Sequence, residues 1–424
     1  MSTDTQPKIL IIGGGVGGLT LAQGLLKHNI RFHVFERDES QSFRAQGYRI
    51  RLDGDAVYAL KEVLPQHTWE KLEASAATER ETSGITKLDA LSGEEIMLGP
   101  GGGPPGGPNG SKGIQGRRHV NERPMAVDRT VMREVLLSNL GESISFGKQF
   151  ERYEIHESSV TAHFTDGTSF KGCFLVGADG VNSRVRKQYL PQLSIVDTTG
   201  RCIYGKTILT PSLCSSIHPK TQSGMVLIQQ SDPDGTPLTL FLESMRFSNP
   251  DVVLIPNSRT GVKETVQDYI YWVLLSQEHI FKNKTADVVS LSPIQAAEVS
   301  NELTKDWHQI VRPIITQQDK ASASAVRIVT ALPDMPPWIP SSLITVLGDA
   351  AHPMPPTAGL GAVSALKDVQ SLLAVINRGI SEESIAIYEE AMRKWASEAI
   401  RGSRAGGVKL FGQAEFSQAR PIEF

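Results

Sequence analysis

Hydrophobic positions open the chain as an unbroken block, Ile9, Leu10, Ile11 and Ile12, with no polar residue between them. A run without alternation marks a strand covered on both faces, as in a parallel sheet. The period then changes. In "LTLAQGLLKHN" Leu21, Leu25 and Leu26 fall on one helical stripe, and "RFHVFE" returns to a strand that ends on Glu36. The unit is β-α-β, with "GGGVGG" at the join between the first strand and the helix.

Further along, "YRIRL" is extended and a helix begins near Asp53. "VDRTVMREVLLSNL" has helical spacing, and "VTAHFTDGTSFKGCFLVG" is a hairpin turning at Asp166 and Gly167. After Lys187 the pattern becomes a series of strands, "RCIYGKTIL", "GMVLIQQ", "PLTLFLES" and "YIYWVLL", followed by one helix over "AAEVSNELTKDWHQIVRPII". A buried strand, "LITVL", and a helix through "SIAIYEEAMRKWASEAI" close the chain.

The pattern predicts an α/β fold: a Rossmann-like domain on a parallel sheet, and a mainly antiparallel sheet covered by helices. The first domain is expected to be discontinuous, over 1–80, 115–190 and 326–400. The second takes 81–114 and 191–325, with a C-terminal tail at 401–424. Residues 98–113, rich in proline and glycine, read as a mobile insertion because they cannot bury enough apolar surface to order themselves.

Length and composition narrow the function. A chain of 424 residues is too long for one ordinary core. With 40% hydrophobic and 21% charged residues it reads as globular, and a net charge of −3 gives no electrostatic footprint for nucleic acid. Cys173, Cys202 and Cys214 form no CxxC pair, so free thiols and a cytoplasmic location are expected. No leader or membrane span is read, the sequons at Asn109 and Asn283 are taken as chance, and no metal-ligand spacing is present. The expected assembly is a monomer or dimer.

Gly13, Gly15 and Gly18 each have a mechanical use: a tight turn, backbone approach to a pyrophosphate, and close packing of helix on strand. The pyrophosphate would sit on free N–H groups at the helix start, beside Val16, with Glu36 on the ribose hydroxyls and Arg37 next to it. The motif says dinucleotide without saying which.

Two more motifs follow in order, "GADGVNSRVR" and "GDAAHPMPPTAGLG". Together the three resemble the single-component FAD-dependent aromatic hydroxylases, the p-hydroxybenzoate hydroxylase type of monooxygenase. The "HPMPP" form and "GYRIRL" are most similar to the fungal secondary-metabolism branch. The resemblance spans about residues 8 to 375 and implies tightly but non-covalently bound FAD, NAD(P)H as transient reductant and O2 as co-substrate. It implies that Asp179 and Asp349 reach the ribityl region, and that Arg129 contacts the flavin. By the same comparison Arg44 and Gly47 flank its ring, while Gly359, Gly361 and Ala362 present backbone N–H groups to it. Arg184 and Arg186 either meet the nicotinamide phosphates or are solvated charges, and His352 packs a turn.

The chemistry implied is hydroxylation or epoxidation of an apolar, ring-containing natural product through a C4a-hydroperoxyflavin. Some fungal relatives place an arginine over the flavin from the first strand after the "DG" segment. Arg201 is the candidate here, with Tyr204 as a weaker one that a regular strand would turn to the opposite face. Two other readings stay open: an FAD-dependent reductase or dehydrogenase without oxygen transfer, and a non-catalytic flavin-binding redox sensor.

Overall fold

The structure, a computed structural model, describes residues 8–40, 49–78, 84–96, 119, 121–256, 262–282 and 287–422. The all-apolar first strand, β1 (Ile9–Ile12), sits in the middle of a five-stranded sheet, which is why it carries no polar position. Its neighbours are β2 (Phe32–Phe35) and β10 (Phe174–Gly177), with β6 (Ile144–Ser145) and β18 (Ile344–Val346) at the edges, all parallel. Two helices, Val16–Lys27 and Gly361–Arg378, pack together against this sheet. On the other side lies a three-stranded antiparallel sheet, β7 (Phe150–His156), β8 (Ser159–Phe164) and β9 (Ser169–Gly172). Phe35 meets Phe164 there with ring centroids 4.6 Å apart.

The second sheet has seven strands. β17 (Ser324–Ala331), β11 (Ile195–Ile208), β16 (Tyr269–Gln277), β13 (Pro237–Met245), β12 (Met225–Ser231) and β4 (Ile85–Asp89) run in that order, and β19 (Arg420–Pro421) pairs with β11. Every pairing is antiparallel except β12 with β4. One face carries Trp272, Leu274, Leu240 and Ile228, buried beneath the helix Pro293–Leu303. The opposite face carries Phe241, Tyr271 and Val273, and looks back toward the parallel sheet. Two small sheets complete the fold: β3 (Arg49–Leu52) with β5 (Met125–Asp128), and β14 (Ile255–Pro256) with β15 (Lys263–Glu264).

Two expectations need correction. The single helix over "AAEVSNELTKDWHQIVRPII" is two, Pro293–Leu303 and Pro313–Thr316, because the ladder stops at Thr304 and the chain must turn to bury Trp307. Residues 401–424 are not simply a tail. The last helix runs Glu382–Phe411 and spans both sheets: Tyr388 donates to the Val346 carbonyl at 2.9 Å, and Phe411 is buried against the antiparallel sheet. Residues 98–113 lie outside the described residues.

Candidate active site

The glycine loop is built as its spacing requires. Gly13 has φ +110°, and a Cβ there would lie 2.3 Å from the Ala178 carbonyl oxygen. A Cβ on Gly18 would lie 2.1 Å from the Gly13 carbonyl, so the helix start can pack on the strand only as glycine. Gly15 is different: a Cβ there meets nothing within 4 Å, so the loop opens onto free space at this point. Gly15 also caps the helix that begins at Val16, with no side-chain cap and no acid in the first turn. Its amides are thus available to a diphosphate. Glu36 is held at the end of β2 by the Gly14 N–H at 2.7 Å and the Asp38 N–H at 2.9 Å; Arg37 beside it is exposed.

The second and third motifs close around this loop. Asp179 is not free to reach out: its carboxylate accepts from the Ser183 hydroxyl at 2.5 Å and from the Arg184 and Val185 N–H groups at 2.8 and 3.3 Å. It shapes the turn that Gly13 packs against. Arg186 is neither a phosphate ligand nor a solvated charge here. It is buried, and its guanidinium donates to the carbonyls of Ala350 and Val181, both at 2.9 Å, stapling the second motif to the third. Arg184 donates to the Phe150 carbonyl.

The third motif is anchored from beneath by Asp368, which is fully buried on the helix Gly361–Arg378. One carboxylate oxygen takes the Gly348 N–H at 2.8 Å and the His352 ring at 2.6 Å, and the other takes the Trp395 indole N–H at 2.8 Å. Burial works against charge on His352, but Asp368 outweighs it and raises the imidazole above its ordinary value. Asp349, between buried Gly348 and Ala350, is itself exposed. Desolvation by the surrounding protein raises its carboxyl, opposed by the charges of His352 and Arg129. Gly359 turns the chain at φ +66°, and Gly361 and Ala362 begin a helix with no side-chain cap and no acid in its first turn. Arg44 and Gly47 lie outside the described residues.

From this second helix start a cavity of about 960 Å³ extends to the antiparallel sheet. Pro356, Gly359 and Leu360 line one end; Phe241, Tyr271 and Val273 line the other. Arg201 is not there. It sits on the opposite face of β11, buried, with its guanidinium bidentate on Asp197 at 2.8 and 3.0 Å and on Glu278 at 2.8 Å. That corrects its assignment as a catalytic candidate: the side chain is consumed by a structural ion pair. The parity argument holds, and it is Tyr204 that shares the cavity-side face, its ring 6.3 Å from that of Tyr271.

Sequence reasoning missed the charged groups that the cavity does contain. Arg49 and Arg51 enter from β3 and meet Glu243 of β13. The available signals were two arginines at strand spacing in "YRIRL" and one acid in the apolar run "PLTLFLES". Neither belongs to a motif. Among the described residues no cluster of His, Cys, Asp and Glu is suited to a metal, and no helix is long and apolar enough to cross a membrane.

Two uncapped helix starts packed side by side, with Gly17 against Leu347 and Ala365, and a ring-walled chamber beside the second mark a dinucleotide-binding fold with an attached small-molecule cavity. The chain belongs to the FAD binding domain family, whose family model matches residues 6–403. The residues fit FAD: the open Gly15 cradle and free amides for its diphosphate, Glu36 for its ribose, and the second helix start for its ring.

The chain is 37% identical to the dual O-methyltransferase/FAD-dependent monooxygenase CTB3 of Cercospora beticola, over 97% of this chain and 47% of that protein. It is 36% identical to elcB of Phaeosphaeria nodorum, which carries the same description, over 97% of this chain and 46% of that protein. The chain thus spans about half the length of these curated relatives. A crystal structure from Photorhabdus luminescens, described as an FAD-containing monooxygenase, superposes with TM-score 0.75 at 25% identity, covering 96% of this chain and 99% of that one. Klebsiella pneumoniae HpxO, solved with FAD and uric acid, shares the fold with TM-score 0.69 at 19% identity, covering 98% and 90%.

Proposed function

We propose that this chain is an FAD-dependent monooxygenase that uses NAD(P)H and O2 to place one oxygen atom on a ring-containing natural product. Residues 1–80, 115–190 and 326–400 would hold the flavin, and the antiparallel sheet would hold the substrate. The observation that carries this reading is the cavity joining the uncapped helix start at Gly361 to the ring-lined sheet. The description of CTB3 and elcB as monooxygenases supports it.

When bound, FAD supplies two-electron reduction by a nicotinamide and activation of O2. The chain's own residues do the rest. The Gly15 amides and helix dipole take the diphosphate, and Glu36 takes the ribose. Asp349 accepts from ribityl hydroxyls and Arg129 balances its charge. The N–H groups of Gly361 and Ala362 would stabilise negative charge on a flavin held at this helix start, an effect of up to about 2 kcal/mol in a partly buried site. Phe241, Tyr271 and Val273 exclude water and orient a flat substrate against the ring.

Purified protein should show flavin absorption, oxidise NAD(P)H slowly under air with release of hydrogen peroxide, and incorporate heavy oxygen from labelled O2 into a hydroxylated product. Flavin reduction without any oxygen incorporation would favour the reductase reading. A protein that takes up no FAD would overturn both.

A further inference from the structure

The cavity described above is not uniformly apolar. Arg49 reaches it from β3 with a side chain only 9% exposed, and pairs with Glu243, whose side chain is 2% exposed. The Arg49 guanidinium carbon lies 5.7 Å from the ring centroid of Phe241 and 5.9 Å from that of Tyr271, within range of a cation–π contact with each. A terminal nitrogen also contacts the Met225 sulfur at 3.7 Å. Arg51, two residues on and on the same face of β3, approaches Glu243 at 3.9 Å. Over the whole cavity lining the formal charges balance, Arg49, Arg51, Lys61 and Arg123 against Asp53, Glu73, Glu122 and Glu243, but at the ring-lined wall two arginines face the one glutamate.

One donor of this cluster is unaccounted for. The Arg49 Nε is buried and has no hydrogen-bond partner among the described residues. A buried guanidinium N–H left unpaired is costly, and such a group in a native structure calls for a partner, whether water, ion or ligand. One terminal nitrogen of Arg49 meets Glu243, both rings lie within cation–π range of the guanidinium, and the Nε stays unpaired among the described residues.

We infer that Arg49, held by Glu243, is a specificity-determining residue that receives an anionic oxygen, a carboxylate or phenolate, of an aromatic substrate whose ring system packs on Phe241 and Tyr271. The inference rests on the monooxygenase reading for the identity of the cavity, and it deepens that reading by naming the substrate group recognised and the side chain that recognises it. Charge-assisted guanidinium–oxyanion bonds are about twice as strong as neutral ones, so the anionic group sets which edge of a flat substrate faces the flavin.

The test uses the full chain loaded with FAD, and two probes that share a bicyclic ring, 3-hydroxy-2-naphthoate and neutral 2-naphthol. Dissociation constants are read by quenching of protein fluorescence at neutral pH, with no turnover required. The carboxylate probe should bind tighter by about tenfold or more. Arg49→Gln alone leaves Glu243 buried without its partner, so Arg49→Gln/Glu243→Gln, which keeps a neutral pair of similar size, is measured beside it. The double variant should retain FAD and bind 2-naphthol as before, while its preference for the carboxylate falls to near unity.

An FAD-loaded wild type that binds both probes equally, or neither, would overturn the inference, and so would a double variant that keeps the preference. Failure of the wild type to hold FAD would instead count against the underlying monooxygenase reading, so the two failures are distinguishable.

Discussion

Asp128 offers the sharpest test of how the β3–β5 pair is held to the antiparallel sheet. It lies at the end of β5 with no exposed surface, and its carboxylate is saturated. One oxygen accepts the Thr130 and Val131 N–H groups at 2.7 and 3.2 Å, capping the helix that begins at Arg129. The other accepts the Lys206 ammonium at 2.5 Å from β11 and the Tyr269 hydroxyl at 2.8 Å from β16. Burial alone pushes this carboxyl up, but the charge of Lys206 and these hydrogen bonds outweigh it and hold the group below the ordinary carboxylate value.

Lys206→Met keeps the aliphatic bulk and removes the only cation bonded to Asp128 among the described residues. A buried ion pair that loses one partner costs about 3–5 kcal/mol, because the remaining charge is stranded. The lost ammonium contact with the Tyr269 ring, at 4.2 Å, adds about 0.5–1 kcal/mol. In Asp128→Asn/Lys206→Met both charges are gone while the asparagine still caps the helix. Most of the loss should return, to within about 1–2 kcal/mol of wild type.

Urea unfolding followed by fluorescence measures all of these proteins. The sign of the pH dependence is also fixed. In wild type the depressed carboxyl contributes stability above its unfolded pKa of about 3.9, lost as pH falls through the folded value. In Lys206→Met burial raises the folded pKa above the unfolded one. The variant's deficit should then shrink as pH falls from neutral through that raised value, where the carboxyl takes up its proton. A single-variant cost below about 1 kcal/mol, or a deficit that grows on acidification, would refute the view that Lys206 balances a buried charge.

Other substitutions probe the remaining parts. Gly15→Val should fold normally, because its Cβ meets no protein atom, yet weaken FAD binding by about tenfold or more, measured by titrating apoprotein. Gly18→Val, whose Cβ would collide with the Gly13 carbonyl, should instead fail to accumulate as folded protein in an expression and solubility assay. Replacing His352 by Asn should cost most below the unfolded histidine pKa of about 6.5, where its stabilising charge is fully present. The difference from wild type should fade as pH rises through the elevated folded value, followed by thermal unfolding across pH. Arg201→Met should lower stability by about 3–5 kcal/mol and leave the probe affinities of the cavity unchanged, since its partners are Asp197 and Glu278.

The contrast between Arg201 and Arg49 shows where reading the chain succeeds and where it stops. The β-α-β unit is legible because each of its signals is local: an apolar run, a glycine spacing and an acid at a strand end. Strand parity is equally local, which is why Arg201 and Tyr204 separate to opposite faces as expected. Which of the two faces meets the cavity is not local. It depends on β11 lying between β16 and β17, and on a bulge between Asp197 and Arg201, where Thr199 takes φ +62° and the ladder register shifts. The bulge sets the Asp197 carboxylate beside the guanidinium of Arg201, and from that point the arginine is spoken for. Arg49 and Glu243 are 194 residues apart and belong to different sheets, so no window along the chain contains both. What the sequence does carry is a weaker mark, charge at positions where the strand pattern calls for apolar side chains. In a ring-lined chamber such a charge is costly unless a ligand or partner meets it, so misplaced charges in otherwise apolar strands lead to the cavity here, where the buried motif arginine Arg186 and the candidate Arg201 do not.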